Sequence, residues 1–97
     1  MRPYILGLIS ILAMSSIVAG AQQSEPPPGK APFTRICATC HGANADGGQG
    51  PGIARVALDY DEFLAKVRHS GGEMPSFSKE QISDDEVKQV FEFLQSL

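Results

Sequence analysis

Cys37-Ala38-Thr39-Cys40-His41 is the stretch on which the reading of this chain turns. Taken as helix, it sets Cys40 three residues and His41 four residues beyond Cys37, so two thiols and an imidazole leave one face within a single turn. These are the chain's two cysteines. They cannot build the disulfide framework of a small secreted domain, and a bridge between residues three apart would close almost no loop. A thioredoxin-like dithiol wants its C-x-x-C beside a βαβ pattern, which is absent. A zinc site wants four Cys or His ligands, and the one candidate outside this stretch is His69, so zinc is the weaker alternative.

The chemistry that uses all three side chains is attachment of a c-type haem. Two thiols add across the two haem vinyl groups as thioethers, and the imidazole reaches the iron from the same side. The opposite face of the iron then decides between electron transfer and ligand chemistry. Met74 is the candidate sixth ligand: Met1 and Met14 fall in a leader-like segment, and Met74 lies between Gly71-Gly72 and Pro75. A methionine that only fills space normally sits in an apolar stripe, which Glu73-Met74-Pro75-Ser76 is not. The rival sixth ligand is His69, beside Arg68. A thioether sulfur raises the reduction potential relative to a second imidazole, which suits a carrier.

Working toward the N-terminus, Phe33, Ile36, Cys37 and Cys40 recur at three and four, which predicts a helix over Gly29 to Thr39. Pro32 is tolerable in its first turn and Gly42 is its stop. Ser24-Glu25-Pro26-Pro27-Pro28 favours extended polyproline geometry, so residues 22–28 are expected to form a tail. Arg2, the apolar run Tyr4 to Val18 and Ala19-Gly20-Ala21 read as an export signal over 1–21, cleaved after Ala21. The alternative is a retained anchor, for which the run of about fifteen is short against the roughly 20 residues a spanning helix needs. Export places the expected domain, 29–97, in a bacterial periplasm. Without Arg2, seven Lys or Arg face eleven Asp or Glu, a balance of −4 that gives no footing on nucleic acid. So short a chain also buries little by itself, which favours a core completed by a cofactor.

Toward the C-terminus, Gly42 to Arg55 carries Gly47, Gly48, Gly50, Gly52 and Pro51, too many breakers for a regular element, so an irregular loop is expected. A second helix is predicted from a capping box at Asp59 and Glu62, with Tyr60, Phe63, Leu64 and Val67 on one face and Gly71-Gly72 as its stop. The third is capped by Ser83 and Glu86, stapled by Ile82 and Val87, and striped by Val87, Val90, Phe91, Leu94 and Leu97. No segment alternates at period two, so the expected class is all-α with three main helices.

These residues resemble the class I cytochromes c, particularly the small bacterial periplasmic ones, over about Gly29 to Leu97. Gly29, Phe33 and Cys37 keep that family's spacing on the N-terminal helix, and Phe93-Leu94 resembles its aromatic-leucine pair on the C-terminal helix. The resemblance implies a cytochrome c-like fold wrapped around one covalently bound haem c. It further implies crossing terminal helices, with Gly29 at the close approach and Phe33 packed on Phe93. Pro51 resembles the loop proline whose carbonyl accepts from the haem-ligating histidine's Nδ1, here His41, and Met74-Pro75 resembles the sixth-ligand loop. Phe93 stands where many relatives have tyrosine. Arg55 and His69 are the candidates by composition for contact with the haem propionates, beside a reading as solvated charges.

The expected function is electron transfer without catalysis, through transient docking to redox partner proteins, with no substrate and no membrane contact unless the leader is retained. Two alternatives stand beside it. One is a haem subunit of an exported dehydrogenase or oxidase, and the other a haem enzyme or gas sensor with a displaceable sixth ligand.

Overall fold

The structure, a computed structural model, describes residues 25–97. The expected signal segment 1–21 and residues 22–24 of the expected tail lie outside the described residues. Among the described residues there is no strand, and no helix is long and apolar enough to cross a membrane.

The first helical run has three parts: α1 (Lys30–Pro32), a π-helical segment (Phe33–Cys37) and α2 (Ala38–His41). The Ala38 N–H reaches back five residues to the Phe33 carbonyl, which makes the wide turn, while the Gly42 N–H bonds the Ala38 carbonyl at 2.9 Å, four back. The expected regular helix over Gly29 to Thr39 therefore contains a π turn and continues to His41. Apolar spacing could not reveal this, because over five residues a 3.6-residue turn and a wider one bury nearly the same positions. Gly42, at φ +90°, ends the run in a conformation that suits glycine.

Helix α3 (Tyr60–Arg68) starts where Asp59 accepts from the Glu62 N–H at 2.8 Å. The expected box is half formed, since no bond returns from the Glu62 side chain to the Asp59 N–H. Acidic Asp61 and Glu62 in its first turn and basic Lys66 and Arg68 in its last both suit the helix dipole. It ends at Arg68, before the expected Gly71-Gly72 stop, because the Val67 carbonyl is taken by the Phe77 N–H of the returning chain at 2.8 Å.

Helix α4 (Asp84–Gln95) has the full capping box: Ser83 Oγ accepts from the Glu86 N–H and Glu86 Oε1 accepts from the Ser83 N–H, both at 3.1 Å. Ile82 and Val87 are both buried beside it. Val87, Val90, Phe93 and Leu94 bury its inner face, and Phe91 packs on α3, with ring centroids 5.3 Å from Phe63 and 5.8 Å from Tyr60. Leu97 is a correction to the expected stripe. It lies past the helix end at Ser96 and is 43% exposed, having no turn beneath it to pack on.

The two ends of the domain cross where α1 meets α4. A Cβ built on Gly29 would stand 2.0 Å from the Gln89 carbonyl oxygen and 2.8 Å from Phe93 Cβ, so the backbones approach more closely than any side chain allows. Phe33 then lies against Phe93 with centroids 5.6 Å apart. Phe33 is fully buried, a burial that contributes about 1.5–3 kcal/mol for a large apolar side chain.

Candidate functional site

The loop after α2 folds back over the end of the helix that carries the thiols. Its N–H groups satisfy the last carbonyls: Gly47 N–H bonds the His41 carbonyl at 2.8 Å and Gly50 N–H bonds the Cys40 carbonyl at 2.7 Å. Ala45, fully buried at φ +58°, offers its carbonyl to the N–H groups of Ile53 (2.8 Å) and Ala54 (3.1 Å), which closes the loop on itself. That closure brings Pro51 beside His41.

The Pro51 carbonyl lies 2.7 Å from His41 Nδ1. A carbonyl only accepts, so Nδ1 carries the ring proton and Nε2 holds the lone pair. The imidazole is buried, 8% exposed, and among the described residues no group pairs with Nε2. A Cβ on Gly50 would lie 3.1 Å from both the Cε1 and Nδ1 atoms of this ring, so glycine there lets the loop backbone press against it.

Both cysteines are half-buried and no disulfide joins them. Burial pushes the Cys37 thiol up to about 11, with Arg35 pulling weakly the other way. Cys37 borders an apolar hollow together with Ile36, Phe63, Val67, Met74 and Phe77. Cys37 and Met74 thus face one oily space from different elements. Among the described residues no group of three His, Cys, Asp or Glu side chains could hold a metal ion, so the zinc alternative gains nothing.

Met74 sits on a short loop returning from α3. Gly71, at φ +68°, makes its turn, and a Cβ on Gly71 or Gly72 would meet nothing. The loop is laced by Ser70, whose Oγ donates to the Met74 carbonyl and whose N–H bonds Ser76 Oγ at 3.3 Å. Its far end is held by Arg68, whose Nη1 donates to the Phe77 carbonyl at 3.2 Å while Nη2 donates to Asp84 Oδ1 at 2.5 Å.

A protein-family model described as cytochrome c oxidase, cbb3-type, subunit III matches residues 24–94. The chain belongs to this cytochrome c family. No curated protein matches it. Membership makes the all-α architecture that of a cytochrome c, implies a covalently bound haem c, and assigns the chain to haem-based electron transfer.

In this cytochrome Cys37 and Met74 border one hollow and Pro51 lies against His41, with Cys40 on the same turn as His41. Arg55 is exposed, and no described residue pairs with its side chain. Its backbone is what the fold uses: at φ +54° its N–H bonds the Leu94 carbonyl at 2.8 Å, tying the loop to the end of α4. His69 is exposed at the end of α3, its N–H bonded to the Ala65 carbonyl at 2.8 Å. Sequence reasoning missed Arg68 and Ser70. Arg68 did carry a signal: it stands four residues after Leu64, on the edge of the apolar stripe, where a charge needs partners.

Proposed function

We infer that this cytochrome is an exported one-electron carrier that holds one haem c through thioethers to Cys37 and Cys40, with His41 and Met74 as axial ligands. A covalently held haem supplies the electron store, an iron that alternates between ferric and ferrous. The observation that carries the reading is that Cys37 and Met74 border one apolar hollow, while the neighbouring imidazole keeps its Nε2 lone pair unspent. The donor set fits the group: two thiols for the vinyl additions, one nitrogen and one thioether sulfur for the iron. Pro51 fixes the ring's tautomer and orientation and raises its basicity, and the apolar lining beside Cys37 and Met74 would keep water from a bound haem. His41 and Met74 would both hold the iron, and little rearrangement of the chain would then accompany each electron.

The partners in this reading are redox proteins met in small, transient encounters, with basic surfaces opposite the acidic balance of the chain. The place is the periplasm, reached by the signal over 1–21. A mature mass beginning at Gln22 would agree, and an intact N-terminus in the membrane fraction would count against it.

Spectra of the purified protein in both redox states, with and without carbon monoxide, test the site. A covalent haem in pyridine haemochrome analysis, a weak red charge-transfer band in the ferric form and no carbon monoxide adduct at neutral pH are expected. Met74→Ala should abolish the band and admit carbon monoxide. A ready adduct in the unmodified protein would favour the sensor or enzyme reading instead. A second reading, a permanent haem subunit of an oxidase, is favoured by the description of the matching family. Elution as a free small protein after gentle solubilisation argues for the carrier, and co-purification with a membrane complex for the subunit.

A further inference from the structure

We propose that Arg68 is a positioning residue that sets how readily the Met74 loop opens, by tying that loop to the first turn of α4 through Asp84. The inference rests on the reading of Met74 as the sixth ligand.

The loop from Ser70 to Phe77 has two kinds of hydrogen bond. Those from Ser70 to the Met74 carbonyl and to Ser76 lie within it, and they travel with it if it swings away as a unit. Those that resist the swing run from the loop to the scaffold: the Phe77 N–H to the Val67 carbonyl at 2.8 Å, and Arg68 Nη1 to the Phe77 carbonyl at 3.2 Å. Both leave from the last two residues of α3, but the guanidinium alone extends the tether to another helix. Its Nη2 is 2.5 Å from Asp84 Oδ1, and Asp84 Oδ2 lies 3.7 Å from Lys79 Nζ.

Because the guanidinium is a rigid planar fork, fixing Nη2 on Asp84 also fixes where Nη1 points. The Arg68 side chain is 11% exposed against 47% for Asp84, so the guanidinium end of this grip is shielded from water while its carboxylate end stays open to salt. Its Nε–H is buried with no acceptor among the described residues. A charged group kept inside with one donor unspent is costly, which argues that its position between loop and helix is what is being held. Phe77 and Met74 line the same hollow, so freeing the Phe77 carbonyl loosens the wall on which the thioether sits.

Imidazole added to the ferric holoprotein competes for the iron position that Met74 vacates, and its apparent affinity scales with the fraction of molecules whose loop is open. Arg68→Met, which keeps the apolar stem and removes the fork, should tighten imidazole binding about tenfold, followed by loss of the red charge-transfer band. Arg68→Lys, with a point charge in place of a fork, should fall between it and the unmodified protein. Asp84→Asn should tighten binding by about twofold to threefold. Asp85→Asn, which removes a neighbouring acid from the same helix turn without touching Arg68, should leave it unchanged.

An Arg68→Met protein with a lowered melting temperature but unaltered imidazole affinity would overturn the proposal, because Arg68 would then only join helices. If that variant fails to retain haem, the decision passes to the exposed pair: equal affinities in Asp84→Asn and Asp85→Asn would be equally fatal. Failure of the ligation reading looks different. The unmodified protein would lack the charge-transfer band and Met74→Ala would bind imidazole as it does, which removes the clamp along with the ligand.

Discussion

At His41 the fold uses a backbone carbonyl to make a chemical choice. The Pro51 oxygen can only accept, so the proton is kept on Nδ1 and the nitrogen able to bind a metal is left bare. Glycine at position 50 is part of that choice. Gly50→Ala would push a methyl to 3.1 Å from the ring and 3.3 Å from the Cys40 carbonyl oxygen, closer than nearly all ordinary contacts. We expect the variant to lose about 1–3 kcal/mol of stability from overpacking and to shift the haem methyl resonances of the ferric protein, since the ring must turn. Unaltered resonances would mean that the loop yields and the ring does not. Cys37 gives a second expectation at this scale. Its thiol is held up to about 11 by burial. In haem-free chain that keeps this fold, its alkylation should stay slow at pH 8 and accelerate as the pH approaches that value, while an unfolded control reacts readily at pH 8 to 9.

Between elements the most demanding contact is the crossing of α1 and α4. There the Gly29 position faces a carbonyl oxygen at 2.0 Å from where a Cβ would be, and a carbonyl cannot swing aside as a side-chain tip can. Gly29→Ala should therefore separate the helices, cost about 1–3 kcal/mol, and lower the melting temperature by about 4–8 °C for each kcal/mol lost. A melting temperature equal to that of the unmodified protein would show that the crossing can widen freely. The cap of α4 is a smaller contribution: Ser83→Ala should cost about 1 kcal/mol in denaturant unfolding, because the Glu86 N–H then loses its acceptor. These two sites also mark what was legible in the sequence. The Ser83 box could be read because every partner lies within three residues, and the Cys37-to-His41 turn for the same reason. The π turn could not, since apolar spacing is blind to one extra residue in a turn. The early end of α3 could not either, since it follows from the Phe77 N–H arriving at Val67 only after the chain has closed. Arg68 was read as a mere neighbour of His69 because its partners, the Phe77 carbonyl and Asp84, lie nine and sixteen residues away.

Across the whole domain, the first turn of α4 is where the other helices are tied. Asp84 accepts from Arg68 at the end of α3, and Glu86 pairs with Arg35 of the π-helical segment at 3.0 Å while closing the Ser83 box. The Arg68 hydrogen bond holds the Asp84 carboxyl below its usual range. The Ser83 backbone and then Arg35 do the same for Glu86. A carboxyl whose folded value is depressed binds its proton less readily folded than unfolded, so it stabilises the fold above its unfolded value and loses that contribution as the pH falls through the folded one. The unfolded references are 3.8 for Asp84 and 4.5 for Glu86. The melting temperature should hence be level from neutral pH to about 5 and fall below about 4.5, with the fall continuing beneath 3.8. Asp84 is exposed and Glu86 partly so, and added salt should therefore flatten part of that slope. Glu86→Gln should lower the plateau at neutral pH and shallow the fall, because the amide still accepts from the Ser83 N–H but no longer titrates. If its melting curve against pH runs parallel to that of the unmodified protein, acid sensitivity arises elsewhere among the eleven carboxylates, and the α4 turn is not where acid loosens the domain.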